Sequence, residues 1–476
     1  REESIQSLLG MGMSSLFRDS DLSIYPMYFS EATGIRSSHY PLIGLLFDNL
    51  AREGARVTEK VRDVYDDGLT DSEWTSRMIS NGDFLDRSED PGHYLRAGMM
   101  VGAWSAHHYY LIDAMSESGA ITGFIKDLVD SNRFTNVDEE ELLDLFADRF
   151  GFRLEKIMVG LEGQAELPGY IIGGNSCCAF IDGEMERYRL SFDVWNREEA
   201  SGVIVVSGLL KYPKEMKAWH RTRLKAPVFA IEVFGPGERK RIDVILDYEP
   251  VTIHVNTMLS RNIPSKLIWR KSEIEVKPSC AGDARDAMGM SLDGPKEGVI
   301  IVDDSDPGFE TLGGSGHTLL KRLFPGPSEE MEFITGWDIV NDPPGNWRMT
   351  IDGRFFGTYL RSARVIKAGN GEAKAIWNAE IPESGFYDVF CSIHAPVGFL
   401  SPRSRSRKGM DRIEHHYSVS HADGPDEVVL MPEKCGDGWN LLGRYYFDEG
   451  EAAVELSDES PVLYILADAV KWVKVD

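Results

Sequence analysis

The sequence predicts a multidomain α+β protein: an N-terminal all-α bundle or array, an Ig-like β-sandwich, and a C-terminal jelly-roll-type β-sandwich. Three observations lead there. At 476 residues the chain is too long for a single hydrophobic core. Its hydrophobic period changes from helical to alternating near residue 166. A stretch rich in Gly and Pro with weak periodicity, 278–298, then separates two β-rich blocks. The expected domains are therefore 1–165, 166–277 and 299–476, with 278–298 as a linker.

In the first block, "HYPLIGLLFDNLAREG" (39–54) places Leu42, Leu45, Leu46, Asn49 and Leu50 on one helical face, with Gly54 as a stop signal. The segment 93–119 reads as a long apolar helix. "NVDEEELLDLFADRFG" (136–151) opens with Asn136 and Glu139 in capping-box spacing, which predicts a helix with Leu142, Leu145, Phe146 and Phe150 on its buried face. Gly151 supplies its end.

The second block alternates. In "RYRLSFDVWN" (187–196), Tyr188, Leu190, Phe192 and Val194 point inward at a period of two. "GVIVVSG", "VFAIEVFGPG", "KRIDVILD" and "VTIHVNT" follow with Gly/Pro breaks, the spacing of a small sandwich. In the third block, "AKAIWNAEIPESGFYDVFCSIH", "HHYSVSHADG", "LLGRYYFDEGEAAVELSD" and "LYILADAVKWVKV" read as antiparallel strands.

Charge narrows the function. There are 77 acidic against 51 basic residues and a formal net charge of −26, which argues against nucleic acid as a partner. The one basic run, "RSRSRK" (403–408), reads as an exposed loop. No run of about 18 apolar residues predicts a membrane span. Five cysteines with one adjacent pair, Cys177 and Cys178, and no CxxC give neither a disulfide framework nor a zinc knuckle. The start at Arg1 suggests a processed or excised piece of a longer, membrane-anchored protein.

The third block resembles the golvesin domain. The resemblance rests on Trp377–Asn378, "IPESGFYDVF", "HHYSVSHADG", "GDGWNLLGRYYFDEGEAAVELSDE" and "LADAVKW", and "VDDSDPGFE" (302–310) matches the way such domains open. The segment 311–335 is an insertion relative to the compact pattern. The resemblance implies a carbohydrate-binding-like β-sandwich on an extracytoplasmic protein, with a cell-surface glycan or protein as partner. Trp377, Trp439 and Tyr446 are the candidate ligand-binding aromatics, because flat rings pack on apolar C–H surfaces. In "RYYF", alternation sends Tyr445 and Phe447 to one face and Tyr446 to the other. Asp468 reads as a structural hydrogen-bonder.

Residues 1–277 resemble the gluzincin aminopeptidases through "FRLEKIMVGLEGQAELPGYIIGG", "YRLSFDVWN" and "VILDYEPVTIHVNTMLSRNIPSKLIW". Such enzymes bind zinc through HExxH, whose glutamate is the general base. The sequence contains no HExxH. The resemblance places Glu31 of "YFSEATG" at the family's zinc-ligand glutamate, which puts Leu8 and Gly12 where the histidines belong and Leu9 at the base. It places Tyr94 of "HYLRAG" at the transition-state tyrosine, with Arg96 and Ala97 departing from the family's Lys and Gly. The expected cofactor is none in this chain, or zinc held by residues upstream of Arg1.

Other constellations read as structural. His107 and His108 point about 100° apart on a helix and cannot share a metal there. His415, His416 and His421 are the more tempting group, since strand alternation lets His416 and Tyr417 face opposite ways beside Asp423, though a metal there is the minor reading; "GGSGH" (313–317) lacks the strand-turn-helix setting of a nucleophile, and "GPGERK" (235–240) is a hairpin turn. The sequence thus predicts a non-catalytic pseudopeptidase or accessory region carrying a surface-binding module. The alternatives are the C-terminal part of an active zinc aminopeptidase and a purely structural interaction module.

Overall fold

The computed structural model describes residues 33–36, 42–55, 69–88, 94–212, 227–277, 298–313, 333–394 and 413–475, with scattered omissions inside these ranges. The 278–298 linker, the 311–335 insertion and the basic run 403–408 lie wholly or mostly outside the described residues. The chain divides into two compact units: residues 1–62 with 70–292, and residues 63–69 with 293–476.

The first unit contains helices α1 (Ile43–Ala55), α2 (Asp71–Asn81), α3 (Phe84–Ser88), α4 (Tyr94–Met115), α5 (Ala120–Ser131) and α6 (Glu139–Phe150). Strands β1 (Thr33–Arg36) and β2 (Thr135–Asp138) accompany them and pair in parallel, with Ile35 opposite Val137. The N-terminal segment is therefore not the all-α bundle that periodicity predicts. β-Branched Thr135 and Val137 flank Asn136, and Val137 is fully buried, so the stretch that reads as a helix start is a strand. The N-cap moves to Asp138, and Glu139, Glu140 and Glu141 fill the first turn, where the helix dipole favours acids.

Two smaller expectations also shift. Gly54 lies inside α1 and does not end it. Leu145 is 41% exposed while Leu143 is buried, so the apolar stripe of α6 is rotated toward Leu142, Leu143 and Phe146. Phe124 of α5 links these helices, with ring centroids 6.1 Å from Phe47 and 5.7 Å from Phe146. Gly151 ends α6 in a left-handed conformation, φ 78°.

Strands β3 (Tyr170–Asp182), β4 (Met185–Asn196), β5 (Gly202–Leu210), β6 (Val228–Phe234), β7 (Arg239–Leu246), β8 (Pro250–Asn256), β9 (Lys266–Arg270) and β10 (Val276–Lys277) complete the unit. They form two four-stranded sheets, β10-β3-β4-β7 and β6-β5-β8-β9. Leu190, Phe192 and Val194 of one sheet share a core with Ile204, Val206, Ile253 and Trp269 of the other. β5 is buried along most of its length because both its faces are covered. Ile204 and Val206 enter the sandwich core, whereas Val203 and Val205 pack with Leu111 and Tyr110 of α4.

A polar clamp holds α2 to the β8–β9 loop. Glu73, 2% exposed, closes a capping box by accepting from the Thr70 amide at 2.7 Å. It also accepts from Ser265, from the amide at 2.7 Å and the hydroxyl at 3.1 Å. The Ser260 amide donates to Ser76 Oγ at 3.1 Å.

The second unit contains β11 (Val299–Val302), β12 (Phe309–Leu312), β13 (Arg348–Ile351), β14 (Ser362–Lys367), β15 (Lys374–Ile381), β16 (Gly385–Ile393), β17 (His415–His421), β18 (Gly424–Leu430), β19 (Gly438–Phe447), β20 (Gly450–Ser457), β21 (Tyr464–Ala467) and β22 (Val470–Lys474). They form sheets β11-β22-β16-β19, β12-β15-β20-β17-β18 and β13-β14-β21. One core joins them, with Tyr387, Val389 and Trp472 meeting Trp377, Val419, Val454 and Ile465.

Removing the Glu73 carboxylate strands three donors at a buried junction. Glu73→Ala should therefore destabilise the first unit by about 3 kcal/mol, and Glu73→Gln by less, because the amide oxygen keeps one acceptor position. Urea unfolding followed by tryptophan fluorescence would check this, and equal stabilities for wild type and Glu73→Ala would remove the clamp from the account.

Candidate functional site

The peptidase-related positions assemble no centre among the described residues. Tyr94 is the first residue of α4, while Glu31, Leu8, Leu9 and Gly12 lie outside the described residues. No group of three His, Cys, Asp or Glu side chains among the described residues could hold a metal ion. His107 and His108 are buried core residues, and burial pushes both below the ordinary histidine range, His108 to about 4. The His108 ring lies between the Trp104 carbonyl (2.6 Å from Nδ1) and the Ile157 carbonyl (3.1 Å from Nε2). His415 is likewise buried and pushed down to about 4, and His421 stacks on Tyr445 with centroids 4.8 Å apart.

The predicted aromatics separate. Trp377 is 1% exposed, and its indole donates to the Asp468 carbonyl at 3.1 Å. It is a core residue with no face to offer a ligand, which corrects the sequence reading. Its strand, β15, lies inside a five-stranded sheet, so a tryptophan on the inner parity is enclosed.

Trp439 and Tyr446 instead lie on the outer face of β11-β22-β16-β19. Strand alternation explains the split: Tyr387, Val389 and Cys391 point into the core, leaving Phe386, Asp388 and Phe390 outside. Across the ladder Phe386 faces Tyr446, Asp388 faces Arg444, Phe390 faces Leu441 and Ser392 faces Trp439. A register shift at Val389/Phe390 turns Leu442 inward beside exposed Leu441. Phe386 is 53% exposed, Leu441 54% and Tyr446 38%.

The face has internal order. Phe386 and Tyr446 meet edge to face at 5.3 Å. Arg444 forks onto Asp388 at 2.7 and 2.9 Å, which holds the Asp388 carboxyl below its ordinary value. Lys471 Nζ lies 4.4 Å from the Trp439 ring centroid and 4.8 Å from that of Phe390, a cation–π arrangement in which partial burial lowers the lysine. Phe356 packs on Trp439, with ring centroids 5.4 Å apart. Sequence reading missed Phe386, Phe390, Leu441 and Lys471. The alternation of "GFYDVF" carries the signal for the two phenylalanines once Tyr387 is placed inward.

Asp468 has the structural role read from the sequence. Its carboxylate accepts from Ser392 Oγ (2.6 Å) and the Phe356 amide (3.2 Å), with His394 Nε2 at 3.3 Å. Nearby, burial and then repulsion from Asp304 and Asp468 push Asp303 up to about 9. Burial pushes Asp304 up to about 7, against the Ser362 hydrogen bond and Arg364.

Residues 341–474 match the Golvesin C-terminal domain. The match covers the aromatic side of the outer face and supports the golvesin-like resemblance of the third block. Folding extends beyond it, since β11 pairs with β22 and β12 with β15. No curated protein matches the chain significantly. Among solved structures, a Paenibacillus xanthan lyase is 14% identical, covering 66% of this chain and 27% of its own, at a TM-score of 0.26. A CBM35 from Cellvibrio japonicus Abf62 is 11% identical over 37% of this chain and 94% of its own, at 0.21. A family 35 carbohydrate-binding module from Clostridium thermocellum is 12% identical over 29% and 96%, at 0.20. At these TM-scores the likeness assigns neither fold nor ligand. The chain spans about a quarter of the length of the xanthan lyase.

The two raised aspartates set a pH dependence. A carboxyl raised in the fold contributes stability that is present below its unfolded pKa, about 4, and is lost as pH climbs to the folded value. The second unit should thus lose stability between pH 4 and about 7 through Asp304, and on to about 9 through Asp303. Asp303→Asn mimics the protonated carboxyl and should flatten the decline between about 7 and 9. Melting temperatures of wild type and variant across that range test this, and parallel curves would refute it.

Proposed function

We propose that the chain is a non-catalytic, extracytoplasmic attachment region whose second unit binds a cell-surface polysaccharide through the outer face of β11-β22-β16-β19. The observation that carries this reading is the outer-face aromatic row inside the golvesin-matched segment, with Phe386 and Tyr446 exposed and Phe390 and Trp439 half-buried beside them. A monomeric surface rarely exposes such a row without a partner. From Trp439 to Tyr446 the strand runs roughly 20 Å, room for several sugar units laid along it. Rings present apolar faces to sugar C–H groups, while Arg444 and Asp388 offer hydrogen bonds midway.

Two further features support the setting. Cys178 is disulfide-bonded, and disulfides persist in oxidising, extracytoplasmic compartments. None of the described helices is long and apolar enough to cross a membrane. In this reading the first unit is a scaffold with an aminopeptidase-like history and no peptidase chemistry, because the sequence lacks HExxH.

Trp439→Ala and Tyr446→Ala should each weaken polysaccharide binding about tenfold, roughly 1.4 kcal/mol. Affinity electrophoresis against a panel of neutral and acidic polysaccharides would measure it. Retardation of the wild type by none of them, or equal retardation of wild type and both variants, would overturn the reading.

A further inference from the structure

Within the outer face of β11-β22-β16-β19, an ion pair interrupts the aromatic row. Asp388 stands opposite Arg444, between the Phe386–Tyr446 rung on one side and the Phe390–Leu441 rung on the other. Across the sheet Asp388 also meets Val473 of β22. Apolar side chains therefore bound the pair on three sides.

Folding stability does not account for it. The Arg444 side chain is more than half exposed, and exposed ion pairs add little to a fold. The geometry is nevertheless specific. Nε donates to Asp388 Oδ1 at 2.7 Å and Nη2 to Oδ2 at 2.9 Å, a planar fork. Arg444 Nη1 spends none of its protons on Asp388, and each carboxylate oxygen keeps a second lone pair. Donors and acceptors thus stand side by side between the rings, each held in place by the other.

The group that matches such an edge is a pair of neighbouring hydroxyls, one donating to the carboxylate and one accepting from the guanidinium. An anionic group on the ligand would meet Asp388 as well as Arg444, so the fork favours an uncharged sugar unit. Linkage decides which units qualify. A 1,4-linked hexose keeps two free hydroxyls on adjacent ring carbons, whereas in a 1,3-linked hexose the linkage falls between the remaining ring hydroxyls. We propose that the Asp388–Arg444 pair makes the outer face selective for neutral polysaccharides with a free vicinal diol, 1,4-linked chains over 1,3-linked ones. This rests on the polysaccharide reading of that face: the rings supply affinity, and the pair supplies the choice of linkage.

The test is affinity electrophoresis of the whole chain in gels holding a 1,4-linked glucan, a 1,4-linked mannan, a 1,3-linked glucan or a polyuronate. At least one neutral 1,4-linked polymer should retard the wild type at about tenfold lower concentration than the 1,3-linked glucan does. Arg444→Lys keeps the charge but loses the planar fork, and should be retarded alike by both linkages. Asp388→Leu combined with Arg444→Leu should behave the same way. Trp439→Ala should weaken binding to both linkages and keep the preference. Equal retardation of the wild type by both linkages would overturn this inference and leave the polysaccharide reading standing. So would an unchanged preference in the two pair variants, or retardation by the polyuronate alone. Retardation by none of the polymers would remove both.

Discussion

The second unit is organised around one carboxylate. Asp468 is 4% exposed, and a buried carboxylate is tolerated only where hydrogen bonds replace its water. Its partners come from separate segments: Ser392 from the end of β16, the Phe356 amide from the turn before β14, and His394 just beyond β16. Its own carbonyl accepts from the Trp377 indole of β15. A single residue thereby fixes the distance between two sheets and the turn that covers one edge of them. Through that turn it reaches the surface, since the Phe356 ring packs on Trp439. The order of the exposed face is set from beneath.

The first unit uses the same principle with different residues. Its apolar contacts are generous but undirected: Val203 and Val205 would pack against α4 in several neighbouring registers. The Glu73 carboxylate, with the Ser265 amide and hydroxyl and the Thr70 amide, admits only one. Asn262 reinforces it by exchanging hydrogen bonds with the Tyr170 backbone, accepting at 2.9 Å and donating at 2.8 Å. Burial supplies the driving force, and a few buried polar groups choose the geometry.

Local periodicity made much of this legible. The alternation of "RYRLSFDVWN" places Leu190, Phe192 and Val194 in the core, and "RYYF" places Tyr446 outside, as the structure has them. What could not be read is whatever depends on a partner distant in sequence. Asn136 has capping spacing in one dimension, but Gly34, about a hundred residues earlier, pairs with it as a strand. Trp377 and Trp439 are equivalent as aromatic residues of alternating strands; which parity of each strand faces the core, and so which tryptophan is enclosed, is settled only when the sheets pack. The extra residue at Leu442 is invisible in the pattern, although it decides that Leu441 faces solvent. Gly443 is its trace, for a Cβ there would collide with the Tyr445 ring folded over it, 2.4 Å from the hydroxyl.

Charge also bears on the proposed outer-face site. With a net charge of −26 the chain repels polyanions at long range, and salt at about 0.1 M screens such fields only beyond roughly 10 Å. Among the described residues of the outer face, Arg444 is neutralised by Asp388 and Lys471 lies against two aromatic rings. Attraction at this surface therefore has to be short-ranged, from ring faces and directed hydrogen bonds. Contact of that kind discriminates by shape and hydroxyl placement instead of charge, and it persists at ionic strengths that would release an electrostatically held partner.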